Sequence, residues 1–134
     1  MREFAGYLIA CETKRDKSSA TKPPAAFVVC EKLRPPLANL MGNAGFRALL
    51  SRSLALANDE APWLRAAHVK LDGSLEGLND LEAQIDPDEF FEGSVVLLAG
   101  LLGLLAAFIG EKLTLQLVRE VWPKLSLNDL DFSK

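Results

Sequence analysis

The spacing of apolar residues predicts that most of this chain is helical. Near the N-terminus, Phe4, Tyr7, Leu8 and Cys11 stand at positions i, i+3, i+4 and i+7, which places them on one face of a helix that ends near Lys14. Residues 14–24 have no such period and are rich in charge, Ser and Pro, so we expect an exposed linker there.

A second helix is predicted to begin at Pro24, because proline is well tolerated in the first turn. The apolar residues that share its inner face are Phe27, Cys30 and Leu33. Pro35 and Pro36 should stop or restart this helix, since each ring clashes with the preceding turn.

The segment from Phe46 to Asn58 has the clearest amphipathic pattern. Its apolar arc consists of Phe46, Leu49, Leu50, Leu54, Leu56 and Ala57. Arg47, Ser51 and Arg52 lie outside that arc, so the pattern predicts a helix that faces the core on one side and has a basic outer edge.

The pair Asp72-Gly73 interrupts the helical pattern and predicts a turn between two short strands. A three-residue loop, 72–74, would set Leu71 opposite Leu75 and Lys70 opposite Glu76. A two-residue loop would instead pair Val69 with Glu76. We favour the first register, in a hairpin that must lie on the helices because two strands are marginal alone.

The sequence Asp86-Pro87-Asp88-Glu89 predicts the start of a long helix, with Asp86 as the N-cap and Glu89 reaching back to it. This helix runs through sixteen residues without a polar side chain, 95–110. A membrane-spanning helix needs about 20 apolar residues, and no basic cluster flanks the run. We therefore expect the central helix of a soluble bundle rather than a membrane span.

Small residues recur along one side of this run. They are Ala99, Gly103, Ala106 and Gly110. Glycine inside a helix costs about 1 kcal/mol relative to alanine, so close approach of another backbone is a reasonable compensation. The neighbour is expected to be residues 46–58, the last helix, or a second copy of the chain. The alternative is that these residues only fill a tight core.

The segment from Lys112 to Trp122 predicts a last amphipathic helix that Pro123 ends. Its apolar side consists of Leu113, Leu117, Val118, Val121 and Trp122. The tail, 124–134, carries four large apolar residues that could dock on a groove near Trp122.

Charge and composition exclude several classes of function. The net charge is −3, and basic residues are not interleaved with aromatic ones, so we expect no binding of nucleic acid. Eight acidic residues and no basic residue lie between Asp72 and Glu92. This segment indicates either a solvated acidic face or a docking surface for a basic partner or the chain's own N-terminal segment.

Candidate chemistry is sparse. Cys11, Cys30 and one histidine cannot form a zinc pattern, and we expect no metal and no cofactor. His68 is a candidate acid or base with Asp72 beside it, although a surface histidine is the simpler interpretation. No phosphate loop or nucleophile motif is present. Glu3 interrupts the only stretch that resembles a lipoprotein signal, so we expect a cytoplasmic location.

The stretches GFRALLSRSLALA and FIGEKLTLQLVREVWP resemble segments that recur in a family of small uncharacterised bacterial proteins. The resemblance implies a bacterial origin and a soluble fold, and it implies no activity. The sequence thus predicts one mainly α domain, 1–134, built as a small bundle around a central apolar helix with one short β-hairpin. We expect a non-enzymatic module that binds protein, itself included. A membrane-active bundle and an enzyme or ligand-binding protein that uses His68 and Asp72 stay open as alternatives.

Overall fold

The protein folds as a mainly α bundle with one short β-hairpin, as the sequence predicts. The computed structural model describes residues 2–15, 25–71 and 73–122. In order, the elements are α1 (Arg2–Arg15), α2 (Ala25–Ala57), a 3₁₀ helix (Pro62–Ala66), β1 (His68–Val69), β2 (Leu75–Glu76), α3 (Leu78–Gln84), α4 (Pro87–Ile109) and α5 (Glu111–Val121). Most of the predicted linker and the whole tail, 124–134, lie outside the described residues.

Helix α4 begins where the sequence predicts and lies at the centre of the bundle. The Asp88 N–H donates to the Asp86 carboxylate at 3.2 Å, and Pro87 occupies the first helical position. α4 packs against α1, α2, α3 and α5. Its buried side consists mainly of Ser94, Leu97, Leu98, Leu101, Leu102 and Leu105. The most apolar helix therefore joins the other four through one core.

Helix α2 changes direction at Gly42 and not at its prolines. Gly42 has φ 82° and ψ 158°, a conformation that is open almost only to glycine. Pro35 and Pro36 both lie inside the helix, so the prediction that they stop or restart it is wrong. The buried side chains of Leu33 and Leu37 hold this part of α2 in the core, and their packing outweighs the cost of the prolines.

The predicted core face of α2 is confirmed except at one position. Phe46, Leu50, Leu54 and Ala57 are buried, whereas Leu56 is 47% exposed. Ser53 takes its place in the core, where its hydroxyl donates to the Leu49 carbonyl at 2.9 Å. A serine whose hydroxyl is satisfied by its own helix can be buried at low cost.

A similar exception occurs in α1. Phe4 and Leu8 are fully buried as predicted, while Tyr7 is 42% exposed. The buried neighbours of Phe4 and Leu8 are Ala5 and Ile9, so the face in the core is rotated away from Tyr7. The side chain of Cys11 is outside the described part of the molecule.

The hairpin exists, but its register differs from the predicted one. His68 faces Glu76 and Val69 faces Leu75. The Lys70 N–H donates to the Ser74 carbonyl at 2.8 Å, and the Gly73 N–H donates to the Lys70 carbonyl at 2.9 Å. The turn is therefore closed between residues 70 and 73, one residue earlier than expected, and the pairing shifts by two residues. A two-residue shift keeps every side chain on the same face of the sheet.

The hairpin turn is held against α2 just after its break. The Leu71 carbonyl accepts from Asn43 Nδ2 at 3.2 Å and from Arg47 Nη1 at 3.3 Å. These two hydrogen bonds hold the turn on α2. The hairpin therefore lies on the helices, as predicted for a pair of strands that is too short to be stable alone.

A single residue, Gly110, joins α4 to α5. Its φ is 94°, and its N–H donates to the Ala106 carbonyl at 3.0 Å. Its own carbonyl accepts from the Thr114 N–H at 3.1 Å and from the Thr114 hydroxyl at 2.8 Å. α5 therefore turns back against α4 at once, and Thr114, Val118 and Trp122 are buried.

Candidate functional site

One side of α4 is only partly covered by the rest of the described chain. We call it the outer face of α4, and it consists of Val96, Gly100, Gly103, Leu104, Ala107 and Phe108. The first four are half-buried, Ala107 is exposed, and Phe108 is 72% exposed. All six are apolar, and they lie on one side of the helix because residues four and seven apart share a face. The central helix is thus buried on one side only.

The predicted stripe of small residues divides between the core and this surface. Ala99 is buried with 8% exposure, so it packs in the core. Gly110 is explained by its positive φ at the corner between α4 and α5, which an L-residue rarely adopts. Ala106 is half-buried, and Gly103 has no atom within 4 Å of the place where a Cβ would stand.

Residues 46–58 and the last helix, α5, were the neighbours predicted from the same chain, and neither lies against Gly103. Gly100, which the sequence analysis did not single out, has the same open surroundings. Two glycines whose backbone is uncovered allow another helix to approach closely.

Trp122, the other predicted interaction residue, is 4% exposed. Its side chain belongs to the hydrophobic core that all of the α-helices contribute to. The tail that was expected to dock beside it falls among the residues that are not described.

A groove of about 580 Å³ opens beside the N-terminal half of α4. It is lined by Glu60, Ala61, Pro62, Trp63, Glu89, Phe91, Glu92, Gly93, Val95 and Val96. Three of these residues are acidic and none is Lys, Arg or His. The volume is within the usual range of ligand pockets, about 300–1,000 Å³, and the lining combines an apolar floor with carboxylates.

The wall of the groove depends on a contact between Trp63 and Gly93. A Cβ added at Gly93 would stand 2.2 Å from the Trp63 ring, so only glycine lets the indole lie directly on the α4 backbone. Trp63 also stacks on Phe90, with ring centroids 5.4 Å apart and an interplanar angle of 24°. The groove and the outer face meet at Val96, which belongs to both.

His68 lies outside this groove. It is exposed on β1, where its partner across the hairpin is Glu76, which is exposed as well. Asp72, the predicted second member of the pair, is not among the described residues. His68 is exposed and does not line the groove, so the geometry adds no support to its candidate role in acid-base chemistry.

The thiol that the structure describes is chemically protected. Burial, with a smaller contribution from the carboxylate of Glu31, raises the pKa of Cys30 from 9.0 to about 12. The reactive thiolate is therefore scarce near neutral pH. Within the described ranges, no three His, Cys, Asp or Glu side chains are grouped closely enough to hold a metal ion.

Among the described helices, α4 alone is long and apolar enough to cross a membrane by length and composition. The core helix of a soluble protein passes the same test, and fewer than half of the residues in its most apolar segment are buried. This observation is compatible with a partner helix and with lipid on the outer face.

The comparisons with known proteins add no assignment. No family model matches the chain, and no curated protein or solved structure is significantly similar to it.

Proposed function

We propose that this protein is a non-enzymatic helical module that binds protein through the outer face of α4, with a second copy of itself as the partner. The observation that carries the proposal is the outer face itself, six apolar positions on one side of the central helix that its own described chain leaves half-buried or exposed. A continuous apolar patch on a small protein is typical of an interaction site. A cytoplasmic location and a bacterial origin are part of the same proposal.

Three features favour a protein partner over lipid. The buried side of α4 is already occupied by α1, α2 and α5, so the helix would have to leave the bundle to cross a membrane. The outer face carries no Lys or Arg that would attract an anionic bilayer. Gly100 and Gly103 lower the apolar area that lipid could cover, while they let a second helix approach.

Gly103→Leu tests the proposal directly. Since nothing lies within 4 Å of a Cβ at Gly103, the leucine side chain fits the monomer and meets an obstacle only in a complex. We expect the wild-type protein to dimerise at tens of micromolar, and we expect Gly103→Leu to weaken the dimer at least about tenfold, which corresponds to about 1.4 kcal/mol. Sedimentation velocity and light scattering after size exclusion measure both.

Ala55→Leu is the matched control. Ala55 is exposed on α2 and does not belong to the outer face of α4, so the same kind of enlargement there should leave the dissociation constant unchanged. A wild-type protein that stays monomeric at 100 µM, or a Gly103→Leu variant that dimerises as tightly as the wild type, would contradict the proposal.

Liposome flotation separates the lipid alternative from this one. The folded protein should stay with the soluble fraction when vesicles contain neutral or anionic lipid at pH 5 or pH 7. Recovery with the vesicles, abolished by Phe108→Glu, would favour a membrane-active protein instead, because Phe108 is the most exposed large apolar residue of α4.

A further inference from the structure

The groove and the exposed corner of the bundle lie at opposite ends of the same face of α4. The groove lies beside its N-terminal half, while Phe108 lies at its C-terminal end and Lys112 follows in the first turn of α5. We propose that the second copy packs antiparallel along the outer face of α4, so that its Phe108 and Lys112 close the groove of the first copy. This inference rests on the proposed function and names the orientation and the contacts of the dimer.

The positions of these residues are symmetric about the glycines. In an antiparallel pair related by a two-fold axis, residues at equal distances on either side of the axis meet. With the axis near residue 102, Val96 and Phe108 are each six residues from it along α4, a rise of about 9 Å. Glu92 lies one turn before Val96, and Lys112 follows Phe108 beyond the joint at Gly110, in the first turn of α5. Gly100 and Gly103 then lie at the crossing point, where the two backbones come closest.

The charges of the two ends are complementary. Glu89 and Glu92 are exposed at the rim of the groove, and no basic residue lines it. Lys112 is exposed on the corner that would meet this rim. The antiparallel arrangement also places the N-terminal end of each α4 beside the C-terminal end of the other, so that partial charges of opposite sign are neighbours. Glu111 precedes Lys112 and has the sign of the rim, so the arrangement requires Lys112, not Glu111, to face the groove.

The apolar surfaces match in the same way. Phe108 is 72% exposed in the single chain, and the apolar residues that line the groove include Trp63, Val95 and Val96. A groove of about 580 Å³ has room for a phenyl ring. The two-fold axis produces this contact twice, so every substitution acts on both ends of the dimer.

The test is a charge reversal with rescue, made in the full chain. Glu92→Lys and Lys112→Glu should each weaken the dimer about tenfold, because each places like charges together at two sites. The variant with both substitutions should return to within about threefold of the wild type, since opposite charges face each other again. Sedimentation velocity at about 50 mM and 500 mM salt should show a smaller effect at high salt.

Two matched controls change the net charge equally. Glu82→Lys on α3 and Arg119→Glu on α5 are exposed and outside the proposed contact, and they should leave the affinity unchanged. Phe108→Ala should weaken the dimer about tenfold, and Leu56→Ala, at an exposed apolar residue of α2, should not.

The outcomes separate this inference from the proposed function. If Gly103→Leu abolishes a wild-type dimer and the double charge reversal is no better than either single one, self-association stands and the antiparallel arrangement is overturned. If Phe108→Ala binds as tightly as the wild type, the arrangement is overturned as well. A chain that never dimerises overturns both.

Discussion

The two sides of α4 carry the same kinds of residues and have different surroundings. The inner side is covered by α1, α2 and α5, and its leucines are almost fully buried. The outer side is equally apolar and is half-buried or exposed. A helix that is apolar on every side has no preferred orientation of its own, so the amphipathic helices that pack on it decide which side is buried. Substitutions that are matched across the two sides test this difference.

The largest difference in stability is expected between two leucine-to-alanine substitutions, one on each side of α4. Leu101→Ala removes a fully buried side chain on the inner side and should lower the free energy of unfolding by about 2–5 kcal/mol. Leu104→Ala, on the outer face, should lower it by less than about 1 kcal/mol. Urea unfolding followed by circular dichroism measures both, at a concentration where the protein is monomeric. Equal losses would show that the monomer buries both sides alike.

A smaller change in stability is expected for two glycine-to-alanine substitutions in α4, and the two changes should have opposite signs. Gly93→Ala sets a Cβ 2.2 Å from the Trp63 ring, so it should destabilise the protein by about 1–3 kcal/mol. Gly100→Ala meets nothing within 4 Å and should stabilise the monomer by up to about 1 kcal/mol, because alanine is the better helix former.

Trp63→Leu supplies the control for this pair of glycines. It removes the ring that a Cβ at position 93 would meet, so Gly93→Ala should cost less in a Trp63→Leu background than alone. Additive effects of the two substitutions would contradict the contact that forms the wall of the groove.

The smallest effect on stability near neutral pH concerns the buried thiol. Cys30 has a pKa of about 12 in the folded chain because burial disfavours its thiolate. The folded state favours the neutral thiol, so burial of Cys30 stabilises the fold fully below pH 9, the pKa of the unfolded thiol. This stabilisation is lost as the pH rises towards 12, the pKa in the folded chain. At pH 8, Cys30 should not react with iodoacetamide in the folded protein, as measured by peptide mass mapping.

A cysteine on the outer side is the comparison for Cys30. Ala107 is exposed, so Ala107→Cys should be alkylated at pH 8 at a rate close to that of a free thiol. Rapid labelling of Cys30 would contradict its burial in the core, and slow labelling at position 107 in the monomer would contradict the exposure of the outer face.

The sequence predicts the fold well where local chemistry decides it. The start of α4 at Asp86 follows from a cap and a proline within two residues, and the Asp-Gly pair predicts the hairpin. The errors concern packing between distant segments. Leu56 belongs to the predicted apolar arc of α2, yet it is 47% exposed, and Ser53 is buried in its place.

The candidate site was less predictable than the fold. Of the predicted stripe, only Gly103 belongs to the outer face, and Gly100 and Phe108 were missed because an all-apolar run does not show which side is open. The groove depends on Trp63 lying against Gly93, thirty positions away in the chain. A glycine inside an apolar helix was the only local signal, and it does not name its partner.

The one-residue joint at Gly110 makes chain length critical at that corner. Each inserted residue would rotate α5 by about 100° about its axis, and a single deletion would rotate it by the same angle in the other direction. Either change would carry Val118 and Trp122 out of the core and detach the Thr114 hydroxyl from its acceptor. Homologous chains of different lengths should therefore have their gaps in the segment between α2 and α4, and a library of insertions should recover almost no folded protein from position 110.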